Sequence, residues 1–162
     1  MKKLILITLS ILGLALAPVM APAMAAKVST SGKVKVKNGS ANEYSYGRVL
    51  ARVDLSSQRM KVYKGGRLLY TWKVSTGRSG YGTPTGTWRI HRMHKRYFSR
   101  KYDNAPMPYA MFYYRGFAVH GTNSISRLGR RASHGCVRLH PDNARKLFSL
   151  VKRSGGTVKV TR

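Results

Sequence analysis

The sequence predicts a mostly-β domain with one principal helix late in the chain, on three observations. Apolar and polar residues alternate at period two from Val49 to Leu55, the signature of a half-buried strand. A glycine pair, Gly65-Gly66, sits between two strand-like runs and reads as a tight hairpin. Only between Pro141 and Lys152 do apolar residues recur at helical spacing.

Taken in order, Val49, Ala51, Val53 and Leu55 alternate with Arg52 and Asp54 and form the first strand. Gln58 to Tyr63 and Arg67 to Val74 are the arms of the glycine hairpin. Ser75 to Gly86 carries four glycines and Pro84, so it is a long turn or loop, and Thr87 to Ile90 is a further strand. Ile90 to Arg96 is a basic, loop-like stretch in which His91 and His94 are expected to be solvated. Pro106-Met107-Pro108 opens an aromatic stretch, Tyr109 to Tyr114, and Phe117 to His120 is a strand ending at a glycine. His140 enters the helix, Pro141 suits its first position and Asp142 suits its positive N-terminal end. Ala144, Leu147, Phe148 and Val151 make its apolar stripe, Lys152 and Arg153 favour its C-terminal end, and Gly155-Gly156 stops it. Thr157 to Val160 closes as a strand.

Composition narrows the class. The chain has 162 residues with 31 Lys and Arg against 4 Asp and Glu, a formal net charge of +27. With 43% hydrophobic residues and 10 Tyr it is too apolar and aromatic for a disordered basic tail. Residues 1–25 read as a secretory signal peptide: Lys2-Lys3, an apolar run from Leu4 to Leu16, then the small-x-small end Ala23-Met24-Ala25. Residues 26–46 form a flexible basic leader, and 47–162 the folded domain. No other stretch is long enough to span a bilayer, so no transmembrane segment is expected after cleavage. Export to the periplasm or cell wall changes what the charge means. Nucleic acid ceases to be the expected partner, and the accessible polyanions become wall carboxylates, wall phosphates and lipid headgroups.

Cys136 is the only cysteine, in a compartment where cysteines normally pair. A buried, inert Cys is the plain alternative, yet Ser133-His134-Gly135-Cys136 gives the thiol a histidine two residues away and a glycine beside it. The thiolate is the nucleophile, and an imidazole or a positive field raises its fraction. If Ser133 to Cys136 is extended, His134 and Cys136 share a side, and Arg138 has the same parity. Sequence geometry leaves His120 and His134 both open as the base. One Cys without an acidic cluster argues against a metal site.

The segment His120-Gly121-Thr122, followed after a loop by Ser133-His134-Gly135-Cys136-Val137-Arg138-Leu139, resembles the active-site signature of the L,D-transpeptidases, the YkuD domain family. Val53-Asp54-Leu55-Ser56-Ser57-Gln58-Arg59, Val74-Ser75-Thr76-Gly77, Thr83-Pro84-Thr85-Gly86 and Met107-Pro108-Tyr109 agree with it, and the likeness runs from about Arg48 to Val160.

The resemblance implies a β-sandwich-like fold with Cys136 in a cleft and no metal or organic cofactor. It implies action on peptidoglycan stem peptides: Cys136 attacks a tetrapeptide stem, D-alanine leaves, and a thioester passes its acyl group to an amine. That amine belongs to a second stem, giving a 3-3 cross-link, or to a lipoprotein lysine. It assigns His120 as base, with His134 shaping the pocket and the Gly121 carbonyl orienting the imidazole. The Gly135 and Cys136 N–H groups are the expected oxyanion donors, and Ser133, Arg138 and Tyr109 the substrate-binding residues. Arg138 would hold a stem carboxylate bidentately. Two competing readings are an L,D-carboxypeptidase, transferring to water at the same site, and a non-catalytic cationic wall-binding module.

Overall fold

Strand β1 (Val49–Asp54) turns Val49, Ala51 and Val53 inward and Arg52 to solvent, the half-buried arrangement its period-two pattern predicts. The computed structural model describes residues 47–162, which fall within the larger of two units of the chain, Gly39–Arg162. The expected signal peptide (1–25) and basic leader (26–46) lie outside the described residues.

A turn at Asp54 leads to β2 (Arg59–Lys64). The Asp54 carboxylate accepts from the Ser56 and Ser57 N–H groups at 2.8 and 3.1 Å and from the Ser56 hydroxyl. Those hydrogen bonds lower its pKa to about 2. Strand β3 (Arg67–Lys73) pairs back on β2 through Gly65 and Gly66, at φ +54° and +78°, a two-residue turn that glycine makes without strain. After the 75–85 loop come β4 (Gly86–Arg89), β5 (Arg92–His94), and the two-residue strands β6 (Phe98–Ser99) and β7 (Ala105–Pro106). Then follow β8 (Ala110–Tyr114), β9 (Phe117–Gly121), β10 (Val137–Leu139), helix α1 (Pro141–Ser154) and β11 (Gly156–Thr161).

One sheet has the order β3-β2-β1-β11-β4, with β11 parallel to β1; a second has the order β10-β9-β8-β5, with β10 parallel to β9. Among the described residues the structure shows the mostly-β class with a single late α-helix. Valines of β1, β2 and β11, the inner residues Met111, Val119, Val137 and Leu139 of the second sheet, and Ala144, Leu147 and Val151 of α1 share one core. At the head of α1, His140 Nδ1 accepts from the Asp142 N–H at 3.3 Å, and Gly155 ends the helix at φ +67°.

The opposite face of the second sheet carries a smaller apolar cluster, Met107, Ala110, Phe112 and Ala118, with Tyr97 and Cys136 against it. Here the loop expected between Ile90 and Arg96 is corrected. Residues 92–94 form a strand paired with β8, and His94 is half-buried, its ring 5.4 Å from that of Tyr97, rather than solvated. His91 is exposed.

Candidate active site

Alternation on two adjacent strands brings the candidate residues to one face. Val119 of β9 and Val137 of β10 are Cα partners and both enter the main core. Their neighbours therefore point the other way: Ala118 and His120 on β9, Arg138 on β10, and Cys136 one residue before it. Arg138 is the Cα partner of His120, so the imidazole stands two residues along the strand from the thiol's position, on the same surface.

His120 is 5% exposed, and its Nδ1 lies 2.7 Å from the Gly121 carbonyl oxygen. A carbonyl can only accept, so Nδ1 carries the proton and the free lone pair is on Nε2. Burial lowers the pKa of this imidazole to about 4; the Gly121 bond opposes the shift and the Arg138 charge adds to it. Gly121 is itself confined, since a Cβ there would stand 3.1 Å from Pro108 Cγ. The Cys136 thiol is half-buried, and burial raises its pKa, while a backbone hydrogen bond from Ala118 and the Arg138 charge pull it down. At rest the thiol and the imidazole are thus both neutral.

The turn carrying Cys136 is braced from within and from outside. Gly135 has φ +107°, and a Cβ on it would lie 2.5 Å from Phe117 Cε1, so both conformation and space demand glycine. Inside the turn, the Gly135 N–H donates to Ser133 Oγ at 3.0 Å, and that hydroxyl donates to the Cys136 carbonyl at 2.6 Å. From outside, Thr83 Oγ1 donates to the Gly135 carbonyl at 2.8 Å. The 75–78 segment frames the same turn: Ser75 exchanges backbone bonds with Arg138 at 3.0 and 2.8 Å, and Thr76 O accepts from Ala132 and Ser133. Gln58, 5% exposed, clamps that frame through both Thr76 N and Thr76 Oγ1.

These placements revise three site expectations. Ser133 is fully buried with its hydroxyl engaged in the turn, which leaves nothing for substrate. The Gly135 N–H is likewise engaged, so it is not a free oxyanion donor; no partner among the described residues takes the Cys136 N–H. The Tyr109 ring packs against Phe148 of α1, 5.7 Å between centroids, and belongs to the main core rather than the thiol's face.

The parity argument for His134 also lapses, because Gly135 breaks the extended backbone. Its ring lies flat on Tyr102 (4.4 Å, 11°) and takes the edge of Tyr81 (4.6 Å, 81°). Arg78 lies over Tyr81 and Lys101 over Tyr102, completing a row of rings capped by cations. Burial and the charges of Arg78, Arg138 and Lys101 lower the His134 pKa. Tyr81, Tyr102 and Arg78 are absent from the sequence-derived site; they lie in loops whose folding back no local pattern announces.

Arg138 is half-buried with one guanidinium nitrogen 3.4 Å from the Ala132 carbonyl, and no carboxylate pairs with it among the described residues. A cavity of about 460 Å³ shares Gly82 and Thr83 with this scaffold and is lined also by Leu55, Ser56, Arg131 and Arg162; neither Cys136 nor His120 faces it.

Residues 48–160 match the family model described as YkuD, L,D-transpeptidase catalytic domain. A Bacillus licheniformis protein named L,D-transpeptidase YkuD is 26% identical over 113 residues, covering 67% of this chain and 63% of that protein. An Escherichia coli K12 protein named L,D-transpeptidase YbiS is 29% identical over 126 residues, 60% of this chain and 40% of the relative. Among solved structures, an L,D-transpeptidase from Stackebrandtia nassauensis aligns with TM-score 0.65 at 29% identity, covering 82% of this chain and 62% of that one. One from Mycobacterium smegmatis aligns with TM-score 0.65 at 25% identity, covering 72% and 59%. The chain therefore spans less than two thirds of the length of each of these relatives.

Proposed function

The chain belongs to the L,D-transpeptidase catalytic-domain family, YkuD, and from that premise we propose that it is an exported cell-wall acyltransferase working through a thioester on Cys136. The observation that carries the reading is the 2.7 Å bond from His120 Nδ1 to the Gly121 carbonyl, which leaves Nε2 as a base on the face that holds the thiol.

In this reading the substrate is a peptidoglycan tetrapeptide stem. As Cys136 Sγ attacks the carbonyl carbon before the terminal D-alanine, its proton passes to His120 Nε2. The developing oxyanion takes the Cys136 N–H. A thiol raised by burial and an imidazole held near 4 do not exchange a proton at rest, so transfer is coupled to attack. The resulting imidazolium is a strong acid and protonates the departing D-alanine nitrogen as the C–N bond breaks. An amine then attacks the thioester, His120 takes its proton, the C–S bond breaks as the new amide forms, and the imidazolium hands the proton to the departing sulfur, regenerating the thiol. The amine is that of a second stem or a lipoprotein lysine; water in its place gives a carboxypeptidase.

Arg138 would bind the stem's terminal carboxylate, since its guanidinium has no carboxylate partner among the described residues. Tyr81, His134 and Tyr102 would wall the cleft beside the thiol. The excess of 31 basic over 4 acidic residues would hold the enzyme on anionic wall polymers.

The test is product analysis with purified tetrapeptide muropeptides, with and without an added amine-bearing acceptor stem. Released D-alanine, a 3-3 dimer that needs the acceptor, and no product from Cys136→Ala are expected. Release that survives Cys136→Ala overturns the reading; tripeptide alone, whatever the acceptor, makes the protein a carboxypeptidase.

A further inference from the structure

The Thr83-Pro84-Thr85-Gly86 stretch reaches the Cys136 turn through one side chain, that of Thr83. Thr83 is 8% exposed, and its hydroxyl is fully determined. The Gly77 N–H donates to Thr83 Oγ1 at 2.9 Å, so the single hydroxyl proton goes to its other neighbour, the Gly135 carbonyl, at 2.8 Å. The loop from Gly77 to Thr83 folds back closely on itself. A Cβ on Gly77 would meet the Tyr81 carbonyl oxygen, and Pro84 restricts the backbone of Thr83 before it. The hydroxyl is therefore delivered to a fixed place.

What it holds is the peptide unit between Gly135 and Cys136. That unit is planar and trans, so its carbonyl and its N–H point in opposite directions. Anchoring the carbonyl aims the Cys136 N–H. Glycine at 135 makes an anchor necessary: with φ +107° and no side chain, this peptide has little of its own to resist rotation. Ser133 braces the Gly135 N–H and the Cys136 carbonyl, at 3.0 and 2.6 Å, on either side of the unit but not the unit itself. A hydrogen bond accepted by the carbonyl also polarises the peptide and strengthens its N–H as a donor.

We propose that Thr83 is a positioning residue, fixing the direction of the Cys136 N–H that receives the oxyanion. The proposal rests on the acyl-transfer reading given above. Thr83 touches no substrate; it acts through the Gly135–Cys136 peptide.

Thr83→Val keeps the shape and removes the hydroxyl, whereas Thr83→Ser keeps the hydroxyl. In D-alanine release from a tetrapeptide muropeptide, Thr83→Val is expected to lower kcat about 10- to 100-fold with KM within about twofold, and Thr83→Ser to restore most of it. Alkylation of Cys136 by iodoacetamide forms no oxyanion, so its rate is expected to stay within about twofold of wild type in both variants. A Thr83→Val enzyme with wild-type kcat overturns the proposal. So does a loss confined to KM, an equal loss in Thr83→Ser, or alkylation that falls in step with turnover, which would mark a general fault in the turn. Where Thr83→Val does not fold, the same split is read in Thr83→Ala. Failure of the acyl-transfer reading is separate: there the wild-type protein releases no D-alanine, or Cys136→Ala still does.

Discussion

His120 is buried to 5% exposure beside a guanidinium, and both conditions disfavour its charged form. With its pKa lowered to about 4, the neutral imidazole persists far below the usual histidine range. The acid limb of kcat/KM is therefore expected near pH 4, with the rate flat through pH 6.5. A limb centred at 6.5 in a pH-rate profile would mean that another, solvated histidine is the base. The same shift acts on stability. The unfolded chain binds this proton first, so stability falls as pH drops from about 6.5 toward 4. His134 and Tyr109 show where reading residues from a sequence stops. Gly135 could be recognised as a glycine the site needs, but not that its φ of +107° would turn His134 out of register with the thiol and onto Tyr102. Tyr109 stands within a motif of the family, yet its own φ of +56° accompanies a ring packed on α1.

At the scale of elements, the site is the product of two short parallel strands and one turn. β9 and β10 put alternate residues into the core, which fixes His120 and Arg138 to the other face without any long-range device. The turn is the fragile part. Gly135→Ala sets a methyl 2.5 Å from Phe117 Cε1 at a φ that side chains avoid. It is expected to cost about 1–3 kcal/mol of stability and at least about 100-fold in D-alanine release, being about 3 kcal/mol of barrier. Urea unfolding and turnover measured together check this; a variant with wild-type turnover would mean that the turn tolerates another shape. Elements with local signals were legible: the alternating β1, the Gly65-Gly66 hairpin, and α1 with its proline start and glycine stop. β5 was not, because three residues of a basic stretch become a strand only by pairing with β8. The 75–78 frame around the turn likewise exists only through tertiary bonds to 132–138.

At the scale of the molecule, β1 and β11 pair in parallel at the middle of one sheet, so the beginning and end of the described domain close a single core. That pairing joins residues about a hundred positions apart and leaves no mark on either strand's own pattern. The core lies on one side of the second sheet and the thiol's small cluster on the other. A cysteine that helped seal the main core would be inert, whereas Cys136 keeps partial exposure on the far face. The basic excess, visible at once in the composition, is in the described residues offset by few contacts: Asp142 pairs with Arg145, and Asp54 is occupied by its own turn. The most direct measurement of the account is the intact mass of the protein mixed with a tetrapeptide muropeptide and quenched in acid within seconds. The expected product is an adduct equal to the substrate less D-alanine, mapped to Cys136, released by hydroxylamine as a thioester and absent from Cys136→Ala. An adduct on any other residue, or D-alanine release undiminished in Cys136→Ala, would contradict it.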